Sequence, residues 1–191
     1  MKITERKEIE GIALARYYPR RLKRMHIFDE LSQDIFRFKK AWDPSLIAKL
    51  ATALAEVIRT AGRSFDIATH PPASRQRLYY PTAHLAKATA TILDLDLIDC
   101  LHWASGKGES QKKRIGRMKL QRLYEPVVCL SDLSGLSILL IDDIITTGIT
   151  LSKCQEALFQ AGAKSVFCGI LGWTVSEDES GFAKKKFKRS F

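Results

Sequence analysis

Apolar residues alternate with polar ones in two rhythms along this chain, one of helical period and one of short continuous runs. Ser45 to Ile58 follows Asp43-Pro44 and places Leu46, Ile47, Leu50, Leu54, Val57 and Ile58 on one side at helical spacing, which predicts an amphipathic helix. Ala61-Gly62-Arg63 breaks that period. Phe65 to Thr69 is then short, apolar and β-prone, and Pro71-Pro72 stops it, so it reads as a strand followed by a loop. Pro81 suits the first turn of a second helix whose inward face is Leu85, Ala88, Ile92 and Leu93, although its alanines and threonines draw that face weakly.

The second half is richer in strands. Leu97 to Trp103 reads as one strand, and Ala104 to Lys113, polar and basic with two glycines, as a mobile loop. Val127 to Leu130 and Leu136 to Ile141 are further strands. The latter is an almost unbroken apolar run of the kind a parallel strand shows when both its faces are buried. Thr150 to Ala161 predicts a helix with Leu151, Cys154, Leu158 and Ala161 inward and Gly162 as its stop, and Val166 to Leu171 the next strand. Strand, helix, strand in this order is a βαβ unit, which implies an open α/β sheet. No internal repeat is visible, and from about Ser176 the apolar period is lost, which reads as a tail.

Composition narrows the classes. With 191 residues and an apolar fraction of 46%, one globular domain is expected. No apolar run approaches the roughly 18 to 20 residues of a membrane span, and MKITERKEIEG carries charges where a signal peptide is apolar, so a cytoplasmic protein without a membrane partner is expected. Cys100, Cys129, Cys154 and Cys168 form no C-x-x-C pair or zinc spacing and read as reduced, buried thiols. The net charge of +10 favours polyanionic partners such as phosphorylated metabolites or nucleic acid. Its clusters are Arg16 to Arg24, Lys107 to Arg122 and Lys184 to Arg189; each also reads plainly as solvated surface, and the last as a disordered tail.

The chemistry concentrates in ILLIDDIITTGITL, Ile138 to Leu151. Two carboxylates stand at the C-terminal end of a buried strand, and a turn with hydroxyls and a glycine leads straight into a helix, which is where open α/β sheets bind ligands. Free N–H groups and the positive end of that helix favour a phosphate, Gly148 allows close backbone approach, and Thr146, Thr147 and Thr150 add hydroxyl donors. Asp142 and Asp143 repel that phosphate, so they suit the vicinal hydroxyls of a sugar, or a metal carried by the same ligand. A ribose 5-phosphate satisfies both halves. The plain alternative is an Asp pair ending a strand, with Asp or Thr capping the next helix and nothing bound. Neither G-x-x-x-x-G-K-[ST] nor G-x-G-x-x-G occurs, which removes the main nucleotide-binding rivals.

Four apolar residues, two acids, two apolar residues and T-T-G-x-T in unbroken order resemble the 5-phosphoribosyl-1-diphosphate motif of type I phosphoribosyltransferases. The resemblance implies that family's fold: α/β, with an open, mostly parallel sheet flanked by helices and a small hood. The division it suggests is a helical lead-in and hood over 1–60, an α/β core over 61–175 and a basic tail over 176–191. It implies Asp142 and Asp143 as the catalytic carboxylates, contacting the ribose hydroxyls, with Ile145, Thr146, Thr147, Gly148, Ile149 and Thr150 around the 5-phosphate. The loop His70-Pro71-Pro72-Ala73-Ser74-Arg75 sits where the family holds the diphosphate, with Ser74 and Arg75 as donors, an ordinary proline-rich turn being the alternative. The basic segment from Ala104 to Arg117 is similar to the family's flexible loop that closes over the diphosphate.

Within the family the chain resembles the ComF-like competence proteins, without their N-terminal four-cysteine zinc module and with Leu78-Tyr79-Tyr80-Pro81-Thr82 in place of their Arg-Gly-Phe-Asn run. The function implied is phosphoribosyl transfer to a nitrogen acceptor with release of diphosphate and Mg²⁺ as cofactor; no metal ligand is assigned in the chain. A non-catalytic phosphoribosyl-binding regulator, or a DNA-uptake accessory protein with nonspecific nucleic-acid contact, is the other function considered, and a homodimer stays open. Trp42, Tyr79, Tyr80, Trp103 and Trp173 could stack on a base or serve packing. Of His26, His70, His84 and His102, none has triad or metal spacing, and only His70 lies in a candidate site loop.

Overall fold

The computed structural model describes residues 9–17, 30–73, 80–104 and 125–174. Its centre is β6 (Ser137–Ile145), in which Ile138, Leu139, Leu140 and Ile141 are each 0% exposed. Such a run needs cover on both faces and neighbours on both edges. The edges are supplied by β2 (Ile67–Thr69) and β7 (Ser165–Thr174), both parallel to β6. Outside them lie β1 (Gly11–Tyr17), beside β7, and β3 (Asp96–Leu97), beside β2. The five-stranded sheet has the order β1-β7-β6-β2-β3, every pair parallel.

Alternation along β6 sends its apolar side chains into two separate cores. Leu139 and Ile141 pack with α1 (Glu30–Phe38), α2 (Pro44–Thr60) and α3 (Pro81–Ile92). Ile138 and Leu140 pack with α4 (Ile149–Gln160) and with a two-stranded antiparallel ribbon of β4 (Leu101–Trp103) and β5 (Val127–Cys129). The result is an α/β fold with a parallel sheet covered on both faces, as the motif implied.

The expected elements are present, with four differences. β6 runs on through both aspartates to Ile145 instead of stopping at Ile141. The single strand expected over Leu97–Trp103 is two strands, β3 in the main sheet and β4 in the ribbon, so the chain changes sheets between Leu97 and Leu101. The inward face of α3 is Leu85, Ala86, Thr89 and Ala90, while Ala88, Ile92 and Leu93 are half-buried; with small residues on every side, packing along α2 rather than side-chain size sets its rotation. Finally β1 was not anticipated, and α1 falls in the expected helical lead-in without having been located there. β1 joins the sheet through pairs such as Gly11↔Cys168, and α1 is fixed by buried Ile35 and Phe38.

Local chemistry explains the start of α2, where Asp43 accepts from the Leu46 N–H at 3.1 Å and Pro44 occupies the first turn. β6 has one irregularity. Ile144 packs into the same core as Leu139 and Ile141, three residues after Ile141 where strict alternation requires an even step. The ladder to β7 has Asp142↔Ile170 and Ile144↔Gly172 with no Asp143↔Leu171 pair. The side-chain alternation therefore breaks between Asp143 and Ile144, while the register with β7 is the same on either side.

Candidate functional site

Pairing between β2 and β6 ends at Thr69↔Leu140, so Ile141 to Ile145 run past their neighbour. This overhang opens a crevice at the carboxyl end of the sheet, the place where parallel sheets receive ligands. Its far wall is His70–Ala73, in which His70, Pro71 and Pro72 are buried. The Tyr80 hydroxyl donates to the Pro71 carbonyl at 2.7 Å, His70 Nδ1 lies 2.9 Å from the same oxygen, and the Trp103 indole N–H donates to the Ala73 carbonyl at 3.0 Å. His70 thus has a hydrogen-bonding and packing role, its ring standing edge-on to Tyr80 with centroids 5.6 Å apart.

Ordinary alternation along β6 places Asp142 and Asp143 on opposite faces of the sheet, in different surroundings. Asp142 stands on the α4 side. Burial, and next the charge of Asp143, push its carboxyl well above the usual carboxylate range, against the opposing pull of the Asp143 N–H and Lys39. Its charge in turn raises the Tyr80 hydroxyl and the thiols of Cys154 and Cys168, in each case after burial itself. Asp143 stands on the α1 side, where Oδ2 meets Lys39 Nζ at 2.8 Å. Two backbone donors beside these carboxylates are taken locally: Asp142 Oδ1 accepts from the Asp143 N–H at 2.7 Å and Asp143 Oδ1 from the Ile144 N–H at 2.6 Å.

The turn after β6 fits an anion. Gly148 has φ of +72°, a left-handed conformation that other residues adopt at a cost, and it forms the N-cap of α4 with no side-chain cap bond. Thr146, Thr147 and Thr150 are exposed beside it, while Ile145 and Ile149 are half-buried and anchor the turn. A Cβ at position 148 would come 3.0 Å from Ile9 Cδ1, so the tip of that side chain would have to give, while the left-handed backbone itself favours glycine.

The structure thus brings together Asp142, Asp143 and Ile145 to Thr150. Ser74 and Arg75 lie outside the described residues, as do 105–124 of the basic loop and the tail from 175. Lys39 was missed by sequence reasoning, and no local signal marks it: Lys39-Lys40 reads as ordinary surface. Of the aromatic candidates, Trp103 pins the loop, Trp173 lies half-buried with the Arg16 guanidinium 5.9 Å from its centroid, and Trp42 is 56% exposed with its ring 4.4 Å from that of His84. Among the described residues, no group of three or more His, Cys, Asp or Glu could hold a metal ion, and no helix is long and apolar enough to cross a membrane.

The model of the phosphoribosyl transferase domain family matches residues 83–184, over half of the chain and all of the Asp142 to Thr150 segment. The chain belongs to this family. Solved phosphoribosyltransferases are similar at low identity. A hypoxanthine-guanine phosphoribosyltransferase of Bacillus anthracis is 11% identical over 78% of this chain and 82% of its own, with a TM-score of 0.49. A hypoxanthine phosphoribosyltransferase of Staphylococcus aureus is 13% identical over 78% and 75%, with a TM-score of 0.46. The glutamine phosphoribosylpyrophosphate amidotransferase of B. subtilis, complexed with ADP and GMP, is 19% identical over 65% of this chain, which spans only 25% of that enzyme; the TM-score is 0.47. Among curated proteins, no sequence matches.

Proposed function

We propose that this phosphoribosyltransferase-family protein binds 5-phosphoribosyl-1-diphosphate with Mg²⁺ and transfers the phosphoribosyl group to a nitrogen acceptor, releasing diphosphate. The observation that carries the reading is the continuity of Asp142 to Thr150: carboxylates on an overhanging strand end, then an uncapped helix start entered through a left-handed glycine. Exposed N–H groups and the hydroxyls of Thr146, Thr147 and Thr150 suit the 5-phosphate. Asp142 and Asp143 suit the ribose hydroxyls, and the negative charge that the pair carries would stabilise the ribosyl cation character that develops as diphosphate departs. The loop 70–75 is the proposed holder of the diphosphate, with Ser74 and Arg75 as donors.

The carboxylate oxygens of Asp142 and Asp143 are hard donors that would suit Mg²⁺ brought in with the ligand. Mg²⁺ bound in this way would neutralise the leaving group. The chain's part is to hold the phosphate and orient the hydroxyls. We place the protein in the cytoplasm and nearest the ComF-like branch, on the Pro71-Pro72 loop ahead of α3 and the basic segment ahead of the motif.

Calorimetric titration of 5-phosphoribosyl-1-diphosphate with Mg²⁺ into the wild type and an Asp142→Asn, Asp143→Asn double variant tests the reading. Binding by the wild type that the double variant loses supports it, and diphosphate release on adding an acceptor completes it. A folded wild type that binds nothing overturns it.

A further inference from the structure

Asp143 is a carboxylate with 11% of its side chain exposed, adjacent in sequence to a second carboxylate, and its counter-charge comes from outside the segment matched by the family model. That counter-charge is Lys39, in the turn leaving α1, with Nζ 2.8 Å from Asp143 Oδ2. A buried carboxylate beside a like charge is unfavourable unless a cation compensates it. The Lys39 ammonium is partly exposed, but the backbone that carries it is fixed. Its backbone N–H closes the end of α1 on the Ile35 carbonyl at 3.2 Å, and α1 is anchored by Ile35 and Phe38, both 0% exposed. The helix is also tied to α2, where Lys49 Nζ lies 2.7 Å from Asp34 and 3.4 Å from Glu30. With Oδ1 held by the Ile144 N–H and Oδ2 by Lys39, each oxygen of Asp143 has a donor.

We propose that Lys39 is a positioning residue for the phosphoribosyl ligand: it holds the Asp143 carboxylate in the orientation that receives a ribose hydroxyl, and so makes the α1–α2 turn part of the site. The inference rests on the phosphoribosyl reading above. Lys39 acts through Asp143, which it neutralises only in part because 40% of its own side chain remains in contact with solvent. The ligand class this favours carries a neutral vicinal diol close to an anionic phosphate, since a second phosphate at the hydroxyl positions would meet two carboxylates and a single ammonium.

The test titrates 5-phosphoribosyl-1-diphosphate with Mg²⁺ into the wild type, Lys39→Met, Lys39→Arg, Asp143→Asn and the Lys39→Met, Asp143→Asn pair, with thermal melting of each. The expected result is an affinity about tenfold weaker for Lys39→Met, as for other residues that orient a ligating side chain, with recovery to within about threefold in Lys39→Arg, which keeps the charge. The pair should be no weaker than its weaker single variant, because both substitutions break one unit. Wild-type affinity in Lys39→Met, equal weakening in Lys39→Arg and Lys39→Met, or fully additive losses in the pair would each overturn the inference while leaving the phosphoribosyl reading intact. A wild type that binds no 5-phosphoribosyl-1-diphosphate overturns both. Should Lys39→Met fail to melt cooperatively, Lys39→Gln makes the same comparison.

Discussion

The indole Nε1 of Trp103 and the carbonyl oxygen of Ala73 stand 3.0 Å apart, joining the end of β4 to the loop that follows β2. The ring also lies 5.9 Å from Lys153 Nζ of α4, so one side chain touches the helix after the motif and the loop across the crevice from it. Trp103→Phe keeps a ring and removes the donor. Loss of one such hydrogen bond is worth about 1 kcal/mol, which for a chain of this size lowers Tm by about 2–4 °C. Differential scanning calorimetry checks it; an unchanged Tm means the loop is held without this bond.

Asp142 gives the protein a stability term that depends on pH. Its carboxyl is pushed from the ordinary 3.8 up to about 8, by burial first and the Asp143 charge second. Because the folded value is raised, the contribution is fully present below the unfolded pKa and is lost as pH climbs from about 4 toward the raised value. Asp142→Asn keeps an oxygen for the Asp143 N–H and removes the titration. The variant should match the wild type in Tm near pH 4 and exceed it by a few degrees near pH 8, on the order of 1–2 kcal/mol. A difference in Tm that stays flat across this range refutes the assignment.

Gly148→Ala places a Cβ on a backbone with φ of +72° and 3.0 Å from Ile9 Cδ1. Left-handed backbone in a non-glycine residue costs about 1–2 kcal/mol, and the contact adds to it. Denaturant unfolding should show a loss of that size. Shortening the neighbour with Ile9→Val in the same chain should restore only a minor part, since most of the penalty is in the backbone; full recovery would assign it to the contact instead.

Cys100, Cys154 and Cys168 are buried, and burial is the main cause that raises each thiol. Cys129 is the half-buried one of the four. Because the thiolate is the reactive form, native protein at pH 8 should react with Ellman's reagent at one thiol at most, and at the remaining three only on unfolding. Two or more fast-reacting thiols in the native state contradict this.

How far the sequence disclosed this fold depended on whether an element's signal was local. The buried run of β6, the turn at Gly148 and the single-sided faces of α2 and α4 all carry their cause within a few residues, and the structure follows them closely. β1 is short, and its sequence Gly11 to Tyr17 becomes a strand only by lying against β7. α1 has Leu31, Ile35 and Phe38 at steps of four and three, a pattern that could have identified it. The split of Leu97 to Trp103 between two sheets has no such mark, because both halves are β-prone and the partners decide. The Lys39–Asp143 pair belongs to the same class: a lysine and an aspartate distant in sequence meet only once α1 is docked. The run DD on a strand puts its two carboxylates on opposite faces, and only the cover of each face, Cys154 and Cys168 on one and Lys39 on the other, shows how unlike they are.

The opposite facing of these two aspartates has an electrical consequence. A single peptide bond separates a half-buried carboxyl group facing thiols and a phenol from a buried one that shares its charge with an ammonium reaching the solvent. Raising the salt concentration should weaken the Lys39–Asp143 attraction and leave the desolvation cost at Asp142 in place, so ionic strength addresses two adjacent letters of the sequence as separate instruments.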